Sequence, residues 1–293
     1  MRSDLESIPY DDRMANRAMH SAGRRGLLSC ALALMLAGCA GMQTEDTAKL
    51  IDSALSGAHR TEANRARDGY RHPKETLQFF GLRPDMTVVE IWPGGGWYTE
   101  VLAPVLRDKG TLYAAHFHVD EKSAKYMGPA RDNFQKKLAA QPGIYDRVKV
   151  TALSAPQQIG IAPAGSADMV LTFRNVHNWA AAKTDEATFR AFYTALKPGG
   201  TLGVVEHRAK PGTSLERMIK SGYMTEAYVI SLAENAGFKF VARSEVNANP
   251  KDTTDHPSGV WTLPPTYRLK DQDRAKYAAI GESDRMTLKF VKP

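Results

Sequence analysis

The chain has 293 residues, 43% of them hydrophobic and 24% charged, with a formal net charge of +7. An apolar fraction of that size excludes an intrinsically disordered chain, and two cysteines, Cys30 and Cys39, exclude a disulfide framework. The basic residues are spread along the chain without a dense Lys/Arg tract, so the charge makes no case for a nucleic-acid partner.

In chain order, the first feature is an export signal. Arg24 and Arg25 precede an apolar run from Leu27 to Ala37, too short to span a bilayer and of the length of a signal-peptide core. The run ends Leu36-Ala37-Gly38-Cys39, which resembles the lipobox of bacterial lipoproteins, with the Cys39 thiol carrying the lipid. Ala40 after it points to the outer membrane. Gly23-Arg24-Arg25-Gly26-Leu27-Leu28 fits a twin-arginine signal as well as an ordinary one. Residues 1–39 are therefore expected to be a signal peptide with a lipobox. Residues 40–57 read as a tether and a short helix marked by Leu50, Ile51 and Leu55. The expected location is the cell envelope facing the periplasm, with a lipid anchor as the only membrane contact. With Cys30 in the signal and Cys39 lipidated, the folded part holds neither a cysteine nucleophile nor a thiolate metal site.

Residues 58–293 alternate strands and helices. Thr87–Ile91 reads as a strand, followed by the glycine turn Gly94-Gly95-Gly96 and a helix over Trp97–Leu106, with Pro104 near its end. Further strands are predicted at Thr111–His116, Arg147–Leu153, Asp168–Phe173, Thr201–Glu206, Lys239–Ser244 and Thr287–Val291. Helices are predicted over Ser123–Ala140, Asp185–Leu196 and Met224–Ala236. This alternation predicts an α/β domain, a mainly parallel sheet with helices on both faces. The stretch from about 247 to 285 breaks the rhythm. Its Trp261-Thr262-Leu263-Pro264-Pro265 supplies apolar anchors for a cover near the carboxyl edge of the sheet.

Four blocks make residues 75–245 resemble the class I S-adenosylmethionine-dependent methyltransferases. They are Gly81-Leu82-Arg83-Pro84-Asp85-Met86-Thr87, the acid-and-glycine block from Glu90 to Gly96, Ala167-Asp168-Met169-Val170, and Leu196-Lys197-Pro198-Gly199-Gly200. More narrowly, Phe173-Arg174-Asn175-Val176-His177-Asn178-Trp179 and Gly281-Glu282-Ser283-Asp284-Arg285-Met286 resemble an exported, methyltransferase-like group of unknown substrate. A nicotinamide site fits less well, because Thr99 stands where G-x-G-x-x-G would place its third glycine.

The resemblance implies a Rossmann-like seven-stranded fold and S-adenosylmethionine as cofactor. Glu90, Gly94, Gly95 and Gly96 would form the cofactor turn. Two positions depart from the family: Trp92 replaces its first glycine, and His116 stands where it has a ribose-binding acid, so that Asp120 or Glu121 would substitute. On the acceptor side, His177 is the candidate base and Asn175 the candidate orienting group, with Arg174, Glu206 and His207 as acceptor contacts. Each has a structural alternative, as a local cap, a hydrogen-bonded histidine or a surface ion cluster. No metal is expected, because His116, His118, His177, His207 and His256 lack carboxylate or cysteine partners at metal spacing. Glu282-Ser283-Asp284-Arg285 reads as a salt-bridged clamp for the long cover. The implied activity is methyl transfer to a small-molecule acceptor. The alternative is a non-catalytic envelope lipoprotein that reuses the pocket for another small molecule, which Trp92, the missing ribose acid and export away from the cytoplasmic cofactor would favour.

Overall fold

The computed structural model describes residues 45–121 and 123–293. The export signal and Cys39 lie outside the described residues. No helix among the described residues is long and apolar enough to cross a membrane.

Seven strands form one sheet: β1 (Thr87–Ile91), β2 (Thr111–Phe117), β3 (Lys149–Leu153), β4 (Ala167–Phe173), β5 (Leu196–His207), β6 (Lys239–Ser244) and β7 (Arg285–Val291). Their order is β3-β2-β1-β4-β5-β7-β6. The first five pair in parallel, and β7 runs antiparallel between β5 and β6. The order reverses between β1 and β4, and a parallel sheet leaves a crevice at the carboxyl ends of such a pair.

Alternation along the central strands sorts side chains to the two faces. Val89, Ile91, Val170, Leu202 and Val204 join a core with the helices Val176–Ala182, Asp185–Ala195, Leu215–Ser221 and Glu226–Asn235. Val88, Met169, Leu171 and Phe173 point the other way, into a core with the helix over 45–56 and the helices Pro73–Phe80 and Thr99–Leu106. Both faces of the central strands are buried, which is why these strands read as continuous apolar runs.

Asp168 links the sequence blocks. Its carboxylate accepts from the Thr87 backbone N–H (2.7 Å) and from Lys197 Nζ (2.6 Å). The start of β1, the entry of β4 and the entry of β5 are thereby held at one acid. Pro104 has a traceable consequence too. Having no N–H, it leaves the carbonyl of Glu100 without its helical partner, and His59 Nε2 donates to that carbonyl at 2.7 Å.

Most element bounds shift by one to a few residues from the sequence expectation, and two shifts and one pair of unexpected helices have a traceable cause or signal. The Met127–Ala140 helix starts four residues later than predicted, because Ser123 closes a turn with Asp120: Asp120 N–H donates to Ser123 Oγ (2.9 Å), which donates to Asp120 Oδ1 (2.8 Å). β5 begins at Leu196 instead of Thr201, since its glycines continue the pairing across a register shift, with Gly199 N–H on the Lys292 carbonyl at 2.7 Å. The short helices Glu62–Arg65 and Asp68–Arg71, ahead of β1, carry no periodic apolar signal. Among the residues from 247 to 285, a 3-10 turn spans Gly259–Thr262 and a helix spans Arg274–Ile280.

Candidate active site at the carboxyl edge of the sheet

The turn after β1 is built by positive backbone angles. Gly94 (φ +58°) and Gly96 (φ +79°) adopt the left-handed conformation that glycine takes at no steric cost. A Cβ on Gly96 would lie 3.0 Å from the Phe134 ring and 3.3 Å from Thr99 Oγ1, so this glycine lets a helix and the turn pack. Gly94 and Gly95 are different: nothing lies within 4 Å of a Cβ built on either. Among the described residues no acceptor takes the N–H of Gly94 or Gly95. Their carbonyls are held, that of Gly94 by His116 Nε2 (3.1 Å) and that of Gly95 by Lys137 Nζ (2.9 Å). The turn is therefore fixed from behind and open in front.

Glu90 stands beneath the turn and is buried. Thr99 Oγ1 donates to its carboxylate at 2.6 Å, yet burial outweighs that bond and raises its pKa to about 7. Glu90 is thus a support of the turn, reaching neither cleft described below. His116, at the position where the resemblance would place a ribose-binding acid, has a different task. Its Nδ1 accepts the Phe117 N–H at 2.8 Å while Nε2 reaches Gly94, so the ring is a neutral strut, and burial lowers its pKa.

Trp92 takes φ +46°, the conformation that a glycine would adopt freely. That costs a non-glycine residue about 1–2 kcal/mol. The indole packs edge-on against Phe117 (4.8 Å) and Trp179 (5.4 Å), and its Nε1 donates to the Leu153 carbonyl at 3.1 Å. Aromatic pairs contribute about 0.5–1.5 kcal/mol each and a hydrogen bond a similar amount, so these contacts offset the backbone cost. The ring bridges the ends of β1 and β3 and forms a wall of a cleft of about 380 Å³, with Phe117, Asp120, Met127 and Trp179 on its other sides. Asp120, expected in the cofactor site, lies on this wall.

A second cavity, of about 300 Å³, opens beyond β4 and β5. His177 and His207 line it, together with Arg174 and with Trp261 and Pro264 from the long cover. Arg67, Arg71, Arg285 and Glu282 are also among its lining residues. Glu206 lies fully buried behind it. Its carboxylate accepts from the backbone N–H of Val176 (2.6 Å) and of His207 (2.8 Å), and it meets His177 Nδ1 at 3.1 Å. An ionised carboxylate only accepts, so His177 carries its proton on Nδ1 and keeps a lone pair on Nε2. His207 Nδ1 meets Ser283 Oγ at 2.5 Å. Burial, His177 and the arginines push its pKa well below the usual imidazole value, and it stays neutral.

The expected site residues divide accordingly. Arg174, His177 and His207 meet in the second cavity, and Asp120 lies in the first cleft. Glu206 does not reach an acceptor; it orients His177. Asn175 lines neither cavity: its Nδ2 donates to the Ile91 carbonyl (3.1 Å) and Thr172 Oγ1 (3.3 Å), strapping the end of β4 to the end of β1. A carboxamide spent on that strap is a positioning group, and the catalytic role expected for Asn175 is withdrawn. Glu282 clamps as anticipated, but it faces a cavity while doing so. Arg67 and Arg71 were not anticipated. Their signal was a run of four arginines, Arg60, Arg65, Arg67 and Arg71, of which Arg65 and Arg71 end the two short helices. His177, Glu206 and His207 also bring ligand-type atoms within 4.8 Å of one another. Both Glu206 oxygens are engaged and guanidinium groups stand nearby, so a metal cation is poorly matched to this cluster.

No family model and no curated relative matches the chain. Solved structures do. A methyltransferase dependent on S-adenosylmethionine from Aquifex aeolicus is 17% identical, with a TM-score of 0.51 over 78% of this chain and 93% of that one. A [4+2]-cyclase is 18% identical, with a TM-score of 0.52 over 81% and 85%. A geranyl diphosphate C-methyltransferase from Streptomyces coelicolor A3(2), solved with Mg2+, geranyl diphosphate and S-adenosyl-L-homocysteine, is 12% identical, with a TM-score of 0.51 over 82% and 88%. At these identities the likeness is one of fold. The chain has the Rossmann-like seven-stranded fold of class I S-adenosylmethionine-dependent methyltransferases, with the strand order given above.

Proposed function

We propose that the protein is an S-adenosylmethionine-dependent methyltransferase acting on a small-molecule acceptor, held in the bacterial cell envelope by a lipid on Cys39. The observation that carries the reading is the turn at Gly94 and Gly95, held from behind and free of neighbours within 4 Å in front. Backbone N–H groups with open space before them accept a polar ligand at close range. Trp92, two residues before the turn, lines a cleft of about 380 Å³, in the range of small-molecule sites, about 300–1,000 Å³, although Gly94, Gly95 and Gly96 are not among its lining residues. Its aromatic walls, Trp92, Phe117 and Trp179, suit a purine, and Asp120 suits a ribose hydroxyl. The residues present fit the cofactor, with Trp92 setting how deep it lies.

When bound, the cofactor supplies an electrophilic methyl group on a sulfonium. The chain supplies placement and a base. Trp179 lines the first cleft and His177 the second, on one short helix, Val176–Ala182, whose first N–H is fixed by Glu206. His177 Nε2 takes the proton from an acceptor O–H or N–H, and Glu206 stabilises the resulting imidazolium. The cover, with Trp261 5.9 Å from His177, keeps water from the base.

Isothermal titration with S-adenosylmethionine and S-adenosylhomocysteine tests the cofactor. A Kd below about 100 μM, equivalent to roughly −5.5 kcal/mol, is expected, with loss of binding in Gly94→Val; absence of binding by the folded protein refutes the reading. The anchor has its own test: Cys39→Ser is expected to leave the membrane fraction, and unchanged fractionation refutes lipidation.

A further inference from the structure

The cavity lined by His177 and His207 is also rich in cationic side chains. Arg67, Arg71, Arg174 and Arg285 converge on it, and the carboxylate of Glu282 is the acid among its lining residues. Arg67 reaches Glu282 through Nε at 2.5 Å and Arg71 through Nε at 3.2 Å, while Arg285 pairs with it through Nη2. Three guanidinium groups thus share one acid. Arg67 and Arg71 spend only Nε on it, and their terminal nitrogens take no acceptor among the described residues. Arg285 Nη1 donates to the Tyr70 carbonyl at 3.0 Å, and its buried Nε has no partner among the described residues. Arg174 has φ +63°, and its guanidinium makes no hydrogen bond to any described residue.

Burying one carboxylate among several guanidinium groups leaves positive charge uncompensated, and buried charge is costly unless paired. The titration behaviour agrees: burial and mutual repulsion lower Arg174 to about 10 and push Arg71 well below its usual value, while Glu282 is held far below the usual carboxylate range. A guanidinium with free N–H donors is a planar fork that takes a carboxylate or phosphate bidentately. The cavity of about 300 Å³ leaves room for a small organic molecule beside His177 and under Trp261.

The geometry points to an oxyanion site: the acceptor carries a carboxylate or phosphate group that Arg174 and Arg285 bind, with Arg67 and Arg71 supporting them. The inference rests on the acceptor pocket proposed above and names its substrate class. The anionic group is the handle and keeps its charge; the hydroxyl or amine that reacts lies on the same molecule, toward His177 Nε2. A carboxylate gripped by guanidinium groups has its lone pairs engaged, so it is not itself the nucleophile.

Inorganic phosphate and acetate are titrated calorimetrically into the full-length protein, its Arg174→Gln variant and an exposed control, Arg190→Gln. The side chain of Arg190 is 62% exposed and pairs only along its own helix. Saturable phosphate or acetate binding by the wild type and the control is expected, weakened at least tenfold in Arg174→Gln; whichever anion binds more tightly names the group. If Arg174→Gln fails to fold, Arg67→Gln, partly exposed at the rim, reads the same loss. No saturable binding of either anion to the wild type, or equal binding by the arginine variants, overturns the site. S-adenosylmethionine titrated into the wild type in the same buffer separates the two readings. Anion binding without cofactor binding removes the methyltransferase and keeps the oxyanion site, and the converse removes the oxyanion site alone.

Discussion

The glycine turn allows packing and ligand approach to be told apart by adding one methyl group at two neighbouring positions. In Gly96→Ala the new Cβ sits at φ +79°, 3.0 Å from the Phe134 ring and 3.3 Å from Thr99 Oγ1. The left-handed backbone costs about 1–2 kcal/mol, and crowding a packed ring costs about 1–3 kcal/mol more. The sum is at least about 2 kcal/mol, or a fall in Tm of at least roughly 4 °C for a domain of this size. Gly95 has no positive φ, and no atom lies within 4 Å of where its added methyl would stand. Gly95→Ala therefore raises stability by about 0.4–1 kcal/mol by narrowing the unfolded ensemble. Its methyl stands on the open side of the turn proposed to meet the cofactor, so affinity for S-adenosylhomocysteine is expected to drop at least tenfold, about 1.4 kcal/mol. Thermal melts and calorimetry on the same two proteins measure both quantities. A Gly95→Ala protein that is stable and binds S-adenosylhomocysteine as tightly as wild type refutes the argument that the open turn is there for a ligand.

Glu90 provides a pH test. Its folded pKa of about 7 is raised above the unfolded value of about 4.3, so the folded state binds the extra proton between those values and stability falls as pH rises through that window. Relative to wild type, Glu90→Gln is expected to gain about 3 kcal/mol between pH 4.5 and 7 in urea unfolding; parallel curves would show that Glu90 is ionised throughout. In imidazole-nitrogen NMR, His207 is expected to remain neutral at pH 5.5, and Glu206→Gln is expected to disturb the Nδ1-protonated state of His177; an unchanged His177 tautomer in that variant refutes the orienting role. Trp92→Gly relieves the left-handed strain but removes two aromatic contacts and the bond to Leu153. Stability should drop by about 1–3 kcal/mol and S-adenosylmethionine should bind more weakly, because one aromatic wall of the cleft is lost; equal or tighter binding would show the indole to be a restriction on the site and not a part of it.

The strands were legible because the central ones are buried on both faces, which writes long apolar runs such as Met169-Val170-Leu171 into the sequence. β1 and β6 agree with their predicted bounds, and the sheet edges that hold the site follow from strand order. The glycine turn was legible for a similar reason: a positive φ demands glycine at 94 and 96. What the sequence concealed were roles that depend on tertiary partners. Nothing in Glu206-His207 says that the acid faces inward, toward Val176 and His177, and the histidine toward Ser283. Nothing local marks Asn175 as a strap to β1. Arg67 and Arg71 meet Arg285 only because the segment before β1 and the strand at the end of the chain converge, more than 200 positions apart in sequence.

The two cavities differ in the charge that they favour, and this constrains any reaction that uses both. The indole faces of Trp92 and Trp179 attract cations without carrying charge of their own, whereas the arginine cavity repels cations until an anion enters it. A sulfonium on the aromatic side and a carboxylate or phosphate on the arginine side would each relieve the field of the other. Both cavities are lined from the short helix Val176–Ala182, Trp179 on one and His177 on the other. Glu206 holds the start of that helix, and Asn175, just before it, holds the end of β1. Loosening either anchor therefore moves His177 and the first cleft relative to each other, and in the proposed reaction misplacement on the scale of an ångström is enough to lose about a hundredfold in rate. Glu206 and Asn175, read in the sequence as an acceptor contact and a catalytic group, thus hold that helix in place, while Arg174 and Arg285 of the second cavity lie in blocks that the sequence singled out and Arg67 and Arg71 belong to none of them.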